Sequence, residues 1–158
     1  MHSKFLLVIA GLVLALAAAP PASAQGLDAT LNPNYGTLTL SPDWRPNPHQ
    51  VTIVAGGDQQ ASNLVAGCVG WVTGQPDFRL TFNAQGDVRP FDINVTSSGD
   101  TTLIVQGPDG QFTCNDDSAD GINPRITVST PQSGNYAIWV GTYVDEDVEA
   151  VLGFTEQR

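Results

Sequence analysis

Apolar and polar residues alternate along this chain in short runs cut by proline and glycine, and no stretch beyond residue 24 keeps a helical period. Alternation with period two turns one face of a segment toward a core and the other toward solvent, so each run reads as a half-buried strand. Phe78, Leu80 and Phe82 share one face while Arg79 and Thr81 take the other; Phe91, Ile93 and Val95 repeat the pattern against Asp92 and Asn94. Further runs lie at 37–40, 51–54, 102–105, 125–128, 135–140 and 148–154. Short strands at this spacing predict an all-β fold, an antiparallel β-sandwich of jelly-roll type, with an up-and-down barrel as the alternative. Residues 25–34 read as a loose leader, and 41–49, with three prolines, as a loop or irregular edge. The expected organisation is a signal peptide over 1–24, a leader with the first strand and the Pro-rich loop over 25–50, and the sandwich over 51–158.

The N-terminal segment points to export. Lys4 gives a basic start, residues 5–19 form an apolar run interrupted only by Gly11, and Ala22-Ser23-Ala24 is a small-x-small cleavage signal. The run is shorter than the roughly 20 residues a bilayer span needs. Cleavage after Ala24 would leave Gln25 at the new N-terminus and 134 of the 158 residues, enough for one domain with one core. The expected location is periplasmic or extracellular.

Lys4 is the only lysine, and all sixteen acids lie beyond residue 24. Against five arginines they give the mature chain a charge of −11. Such a chain repels nucleic-acid phosphates and anionic membrane surfaces, whose binding rests on Lys and Arg. Neither nucleic-acid binding nor membrane insertion after cleavage is expected.

Cys68 and Cys114 are the only cysteines, and in an oxidising compartment an isolated pair reads as a disulfide. A bridge across so long a loop contributes roughly 4 kcal/mol in the chain-entropy model. A thiolate metal site would lack its other ligands, because His49 is the only histidine left after cleavage.

Catalytic signatures are missing. His49 sits in a Pro-Asn-Pro-His loop, there is no Gly-x-Ser-x-Gly elbow, and a Ser-Lys pair has no lysine to use. Abundant aspartate is compatible with a carboxylate pair of the glycosidase kind, which stays as the least favoured reading.

Two features suggest binding. Asp116, Ser118 and Asp120, followed by Gly121, place oxygens at alternate positions as the opening of a calcium loop does. Thr127 stands where the closing Glu would be, so this is not an EF-hand. A calcium site drawn from Asp109, Asp116, Asp117 and Asp120 competes with a surface turn whose side chains cap their own backbone. The cluster Asp145-Glu146-Asp147 reads as a solvated hairpin turn. Among aromatics, Trp139 and Tyr143 fall on one face of the run 136–143, opposite Tyr136, Ile138 and Val140. With Trp44 in the Pro-rich loop they form a candidate stacking platform, unless Trp139 is simply buried.

The stretch 100–143 resembles the bacterial pre-peptidase C-terminal domain. The likeness is carried by Asp100-Thr101-Thr102-Leu103, the Pro108-Asp109-Gly110 turn, Asn115-Asp116-Asp117 and Gly134-Asn135-Tyr136. Cys68-Val69-Gly70 and Pro76-Asp77-Phe78 look like a stand-alone, exported variant of it. The resemblance implies a small secreted sandwich that accompanies peptidases without being catalytic, with relatives that bind calcium or extracellular polymers. The expected function is therefore a non-catalytic module for an extracellular polysaccharide or protein. A calcium-stabilised envelope protein is the second reading, and a carboxylate hydrolase the third.

Overall fold

The computed structural model describes residues 26–158; the expected signal peptide lies outside them. Among the described residues, eleven strands form two sheets. They are β1 (Thr37–Leu40), β2 (His49–Ala55), β3 (Gln59–Gln60), β4 (Trp71–Val72), β5 (Phe78–Phe82), β6 (Phe91–Ser97), β7 (Thr101–Gln106), β8 (Phe112–Asn115), β9 (Arg125–Val128), β10 (Gly134–Thr142) and β11 (Val148–Glu156). Every alternating run of the sequence is a strand. The two-residue strands β3 and β4 are too short to carry a period.

Sheet B runs β2-β11-β6-β9, all antiparallel. Sheet A is organised by β10, which pairs β5 through 134–138 and β7 through 137–142 and meets Trp71 of β4 at Thr142. β8 extends sheet A beyond β7, and β3 pairs with β4. Among the described residues β1 is the one strand that pairs in parallel, on β5. No hairpin joins those two strands, so turn geometry does not impose an antiparallel direction on them.

The inward faces of the two sheets interdigitate in a core of Ile53, Phe78, Leu80, Phe82, Phe91, Ile93, Leu103, Ile138, Leu152 and Phe154, among others. Sheet A is covered on its outer side as well. The segment 59–72 folds back over it and packs Ala61, Cys68 and Val72 against Ile104, Ala137 and Trp139, with Leu27, Ala29 and Phe112 at the margin. The Cys68–Cys114 disulfide fastens this flap to β8. That covering explains β7 and β10, which are buried on successive residues where a half-exposed strand would alternate.

The leader is not loose. Arg79 donates to the carbonyls of Ala29 (2.6 Å) and Leu31 (2.7 Å), Asp28 N–H donates to Gly74 (3.1 Å) and Asn34 N–H to Pro76 (2.9 Å). A chain segment whose backbone groups are so engaged is ordered along the edge of sheet A. The Pro-rich loop is equally committed. Asn47 donates to the Glu156 carbonyl (3.1 Å) and accepts from Glu156 N–H (3.0 Å), and the Glu156 carboxylate accepts from Asp43 N–H (2.9 Å). The Arg45–Pro46 and Asn47–Pro48 bonds are cis.

Candidate functional site

The stacking platform expected from the sequence does not form. Trp44 is 7% exposed and caps the end of the main core, edge-on to Phe82 (6.3 Å between ring centres) and Phe91 (5.9 Å). Proline-rich loops usually expose their side chains, but this one is drawn inward by its bonds to Glu156. Trp139 is fully buried beneath the flap, 6.0 Å from the Phe112 ring. Its predicted face was right, but the cover of that face comes from residues 59–72. Tyr143 alone of the three is exposed, at 51%.

The acidic loop does not gather its carboxylates. Asp109 accepts from Gln111 N–H (3.0 Å) within its own turn. Asp120 is paired with Arg125 (2.6 Å), and Ser118 and Gly121 close a tight bridge through their backbones. Asn115 accepts from Arg125 N–H (3.0 Å). Asp116 and Asp117 lie near Asp100, whose carboxyl titrates above its ordinary value, first through burial and then through their charges. Among the described residues, no three His, Cys, Asp or Glu side chains come together as metal ligands. Arg125 of β9 places a guanidinium on Asp120, where the calcium reading put an ion.

A different acidic site does converge. At one end of the sandwich a cleft of about 620 Å³ is lined by Asn34, Tyr35, Val54, Gly56, Gly57, Asp58, Thr73, Asp77 and the turn Asp145-Glu146-Asp147. Its parts come from the leader, the end of β2 and the β10–β11 turn. Gly56 makes the close approach feasible. Its φ is +133°, and a Cβ there would sit 2.9 Å from the Glu146 carbonyl oxygen. Gly56 N–H donates to the Val140 carbonyl (3.1 Å), and Thr142 Oγ1 donates to the Glu146 carbonyl (2.6 Å), which fixes the turn. A second hollow of about 520 Å³, lined by Gly26, Asp28, Leu31, Gln59, Thr73, Gly74 and Gln75, adjoins the cleft at Thr73.

Asp77 is 1% exposed and acts as the keystone of this end. Its Oδ2 accepts from Val140 N–H (2.8 Å) and its Oδ1 from Asn34 Nδ2 (2.9 Å). Its backbone joins Ile138 and Tyr35 (both 2.8 Å). Burial raises its pKa to about 6, while the two hydrogen bonds pull the other way. With each oxygen already accepting a protein donor, this carboxyl is a structural fastener.

Sequence reasoning passed over the cleft. It singled out Asp145-Glu146-Asp147 as a turn but had no means of bringing Asp58, Tyr35 and Asp77 beside it. The only local signal was Gly56-Gly57-Asp58 directly after a strand, a sign of backbone packed closely against something.

What the chain presents is thus an all-β sandwich with one flap and one acidic cleft. No family model matches it, and no curated protein does. Several solved structures are similar to it, two of which are these. One is the pre-peptidase C-terminal domain of a collagenase from Bacillus anthracis, 13% identical over 75% of this chain and 94% of that one, with a TM-score of 0.43. The other is PliG of Aeromonas hydrophila, a periplasmic inhibitor of g-type lysozyme, 16% identical over 77% of this chain and 98% of that one, with a TM-score of 0.40. Identities this low transfer no residue from either to this chain. Among the described residues no helix is long and apolar enough to cross a membrane.

Proposed function

We propose that the mature chain is an exported, non-catalytic binding module whose cleft takes a basic segment of a protein partner. The observation that carries this reading is the meeting of Asp58, Asp145, Glu146 and Asp147 in one concave site walled by Tyr35 and Val54. Four carboxylates around a cleft focus a negative potential that attracts ammonium and guanidinium groups and speeds their encounter. The Tyr35 ring and Val54 offer surface for the aliphatic stem and flat face of Lys or Arg. The formal charge of −10 on the whole chain adds a long-range field of the same sign. The same charge disfavours phosphate-bearing ligands. The engaged oxygens of Asp77 support the non-catalytic reading, since a general acid needs a carboxyl free to reach substrate.

Calorimetric titration with hexa-arginine and hexaglutamate peptides tests this. The arginine peptide binds, more weakly as salt screens the cleft, and Asp58→Asn/Asp147→Asn reduces its affinity while the fold is retained. Both aspartates are exposed, so the variant keeps the core intact. Absence of binding, or binding indifferent to the two substitutions, removes the proposal.

A further inference from the structure

The cleft opens beside an unusual strand edge. β2 lies at the rim of sheet B with β11 as its only partner, and it is seven residues long. The other rim strands, β1, β8 and β9, have four each, and β3 has two. The sequence His-Gln-Val-Thr-Ile-Val-Ala contains no Asp, Glu, Lys or Arg. Native sheets normally blunt such an edge by keeping it short or by placing charges on it, because its unpaired backbone groups recruit another strand. Here Pro48 protects only the approach to the strand.

One residue near the other end of β2 is occupied. The Tyr35 hydroxyl accepts from Val54 N–H (3.1 Å) and donates to the Val54 carbonyl (3.4 Å). A single side chain thereby stands in for the donor and acceptor that a neighbouring strand would offer. Both bonds show that the backbone of Val54 points away from β11. The alternation of an antiparallel ladder turns the N–H and C=O groups of Thr52 and Gln50 the same way, toward the open edge. Gln50, Thr52 and Val54 are all exposed. Tyr35 and Val54 also line the acidic cleft, so edge and cleft form one continuous surface.

We propose that β2 is a docking edge. An extended segment of the partner adds to it as a further strand, pairing with Thr52 and Gln50, and a basic residue of that segment enters the cleft beside Asp58 and Asp147. This rests on the reading of the cleft given above. The occupant follows from charge: backbone pairing supplies affinity without sequence choice, and the carboxylates at the end of the edge select a cationic side chain. A second copy of this chain would bring its own strong negative charge to the same edge. Tyr35 keeps the Val54 groups satisfied in the free protein and leaves them when a strand arrives.

The test uses the intact mature protein and synthetic seven-residue peptides of alternating threonine and valine with one terminal arginine. Two further peptides carry N-methyl groups on every second amide, one in each register, so that one blocks the hydrogen bonds facing β2 and the other does not. A glutamate-ended peptide controls for charge. The arginine peptide should bind, one methylated register should lose at least about tenfold in affinity, and the glutamate peptide should lose binding. Peptide binding should slow exchange of the Thr52 amide, and Tyr35→Phe, which frees the Val54 groups, should tighten it. If both methylated peptides bind as well as the parent, the docking edge is wrong and the cleft alone binds. If no arginine peptide binds, the cleft reading falls and takes the docking edge with it. If Tyr35→Phe self-associates without peptide, the edge accepts a second copy, and the basic segment is the wrong occupant.

Discussion

The core between the sheets and the smaller core beneath the flap meet different physical demands. The first is filled by faces that alternate along strands, so each strand commits its half of the core locally and the sheets need only to meet. The second is made by residues 59–72, a segment whose strands β3 and β4 are two residues each and whose middle is laid over strands that already serve the first core. It contains few large side chains beyond Trp139 and Ile104 and depends on the Cys68–Cys114 link to hold its cover. Regular pattern builds a core that any portion of the sequence announces. An irregular cover must be fastened by something other than pattern.

The largest effects should come from emptying each core in turn. Phe91→Ala should cost about 3–5 kcal/mol in equilibrium urea unfolding and weaken protection of amides in both sheets. Trp139→Ala should cost a sum in the same range, but with residues 59–72 losing amide protection first. If both variants lose protection everywhere at once, the two cores are a single cooperative unit. Next in size, Cys68→Ala/Cys114→Ala should destabilise by up to about 4 kcal/mol in the chain-entropy model, given the 46-residue separation. Native-state exchange should show the flap opening while β6 and β11 stay protected. Uniform loss would again join the cores.

The third effect is pH-dependent and concerns the keystone between the leader and β10. Asp77 titrates near pH 6 in the fold against an ordinary value of 3.8, so the folded chain holds this proton more tightly than the unfolded chain. The stability it contributes is full below about pH 4 and is lost as pH rises through 6, amounting to about 3 kcal/mol. Asp77→Asn should flatten the stability profile between pH 4 and 6 relative to the parent. The amide keeps one acceptor and loses the other, so the variant also pays about 1–3 kcal/mol at all pH values. An unchanged profile would show that another group titrates there.

The strands were legible because period-two patterns such as Phe78-Arg79-Leu80-Thr81-Phe82 need only local information. The disulfide was legible because two cysteines permit one pairing. The burial of Trp139 and Trp44 was not, since each depends on a cover supplied by a loop with no pattern of its own. The cleft was invisible for a related reason. Its carboxylates come from the β10–β11 turn, the loop after β2 and the residue before β5, its Tyr35 wall comes from the leader, and only the completed topology brings these together. The acidic loop misled in the opposite sense: the alternation Asp116, Ser118, Asp120 has the right spacing for a cation, yet Arg125 from the next strand answers its charge.

The order in which strands occupy the sheets has a bearing on biogenesis. β10 is the organiser of sheet A and β11 an inner strand of sheet B; they follow one another in sequence, and the turn between them crosses from one sheet to the other. During vectorial synthesis β5 and β7 wait for β10, and β2 and β6 wait for β11. The central pairings of both sheets are thus deferred until residues 134–156 have emerged, whereas β1 with β5, β6 with β9 and β7 with β8 can pair before them. Until β10 and β11 are in place each sheet lacks an inner strand, so the main core stays open to solvent.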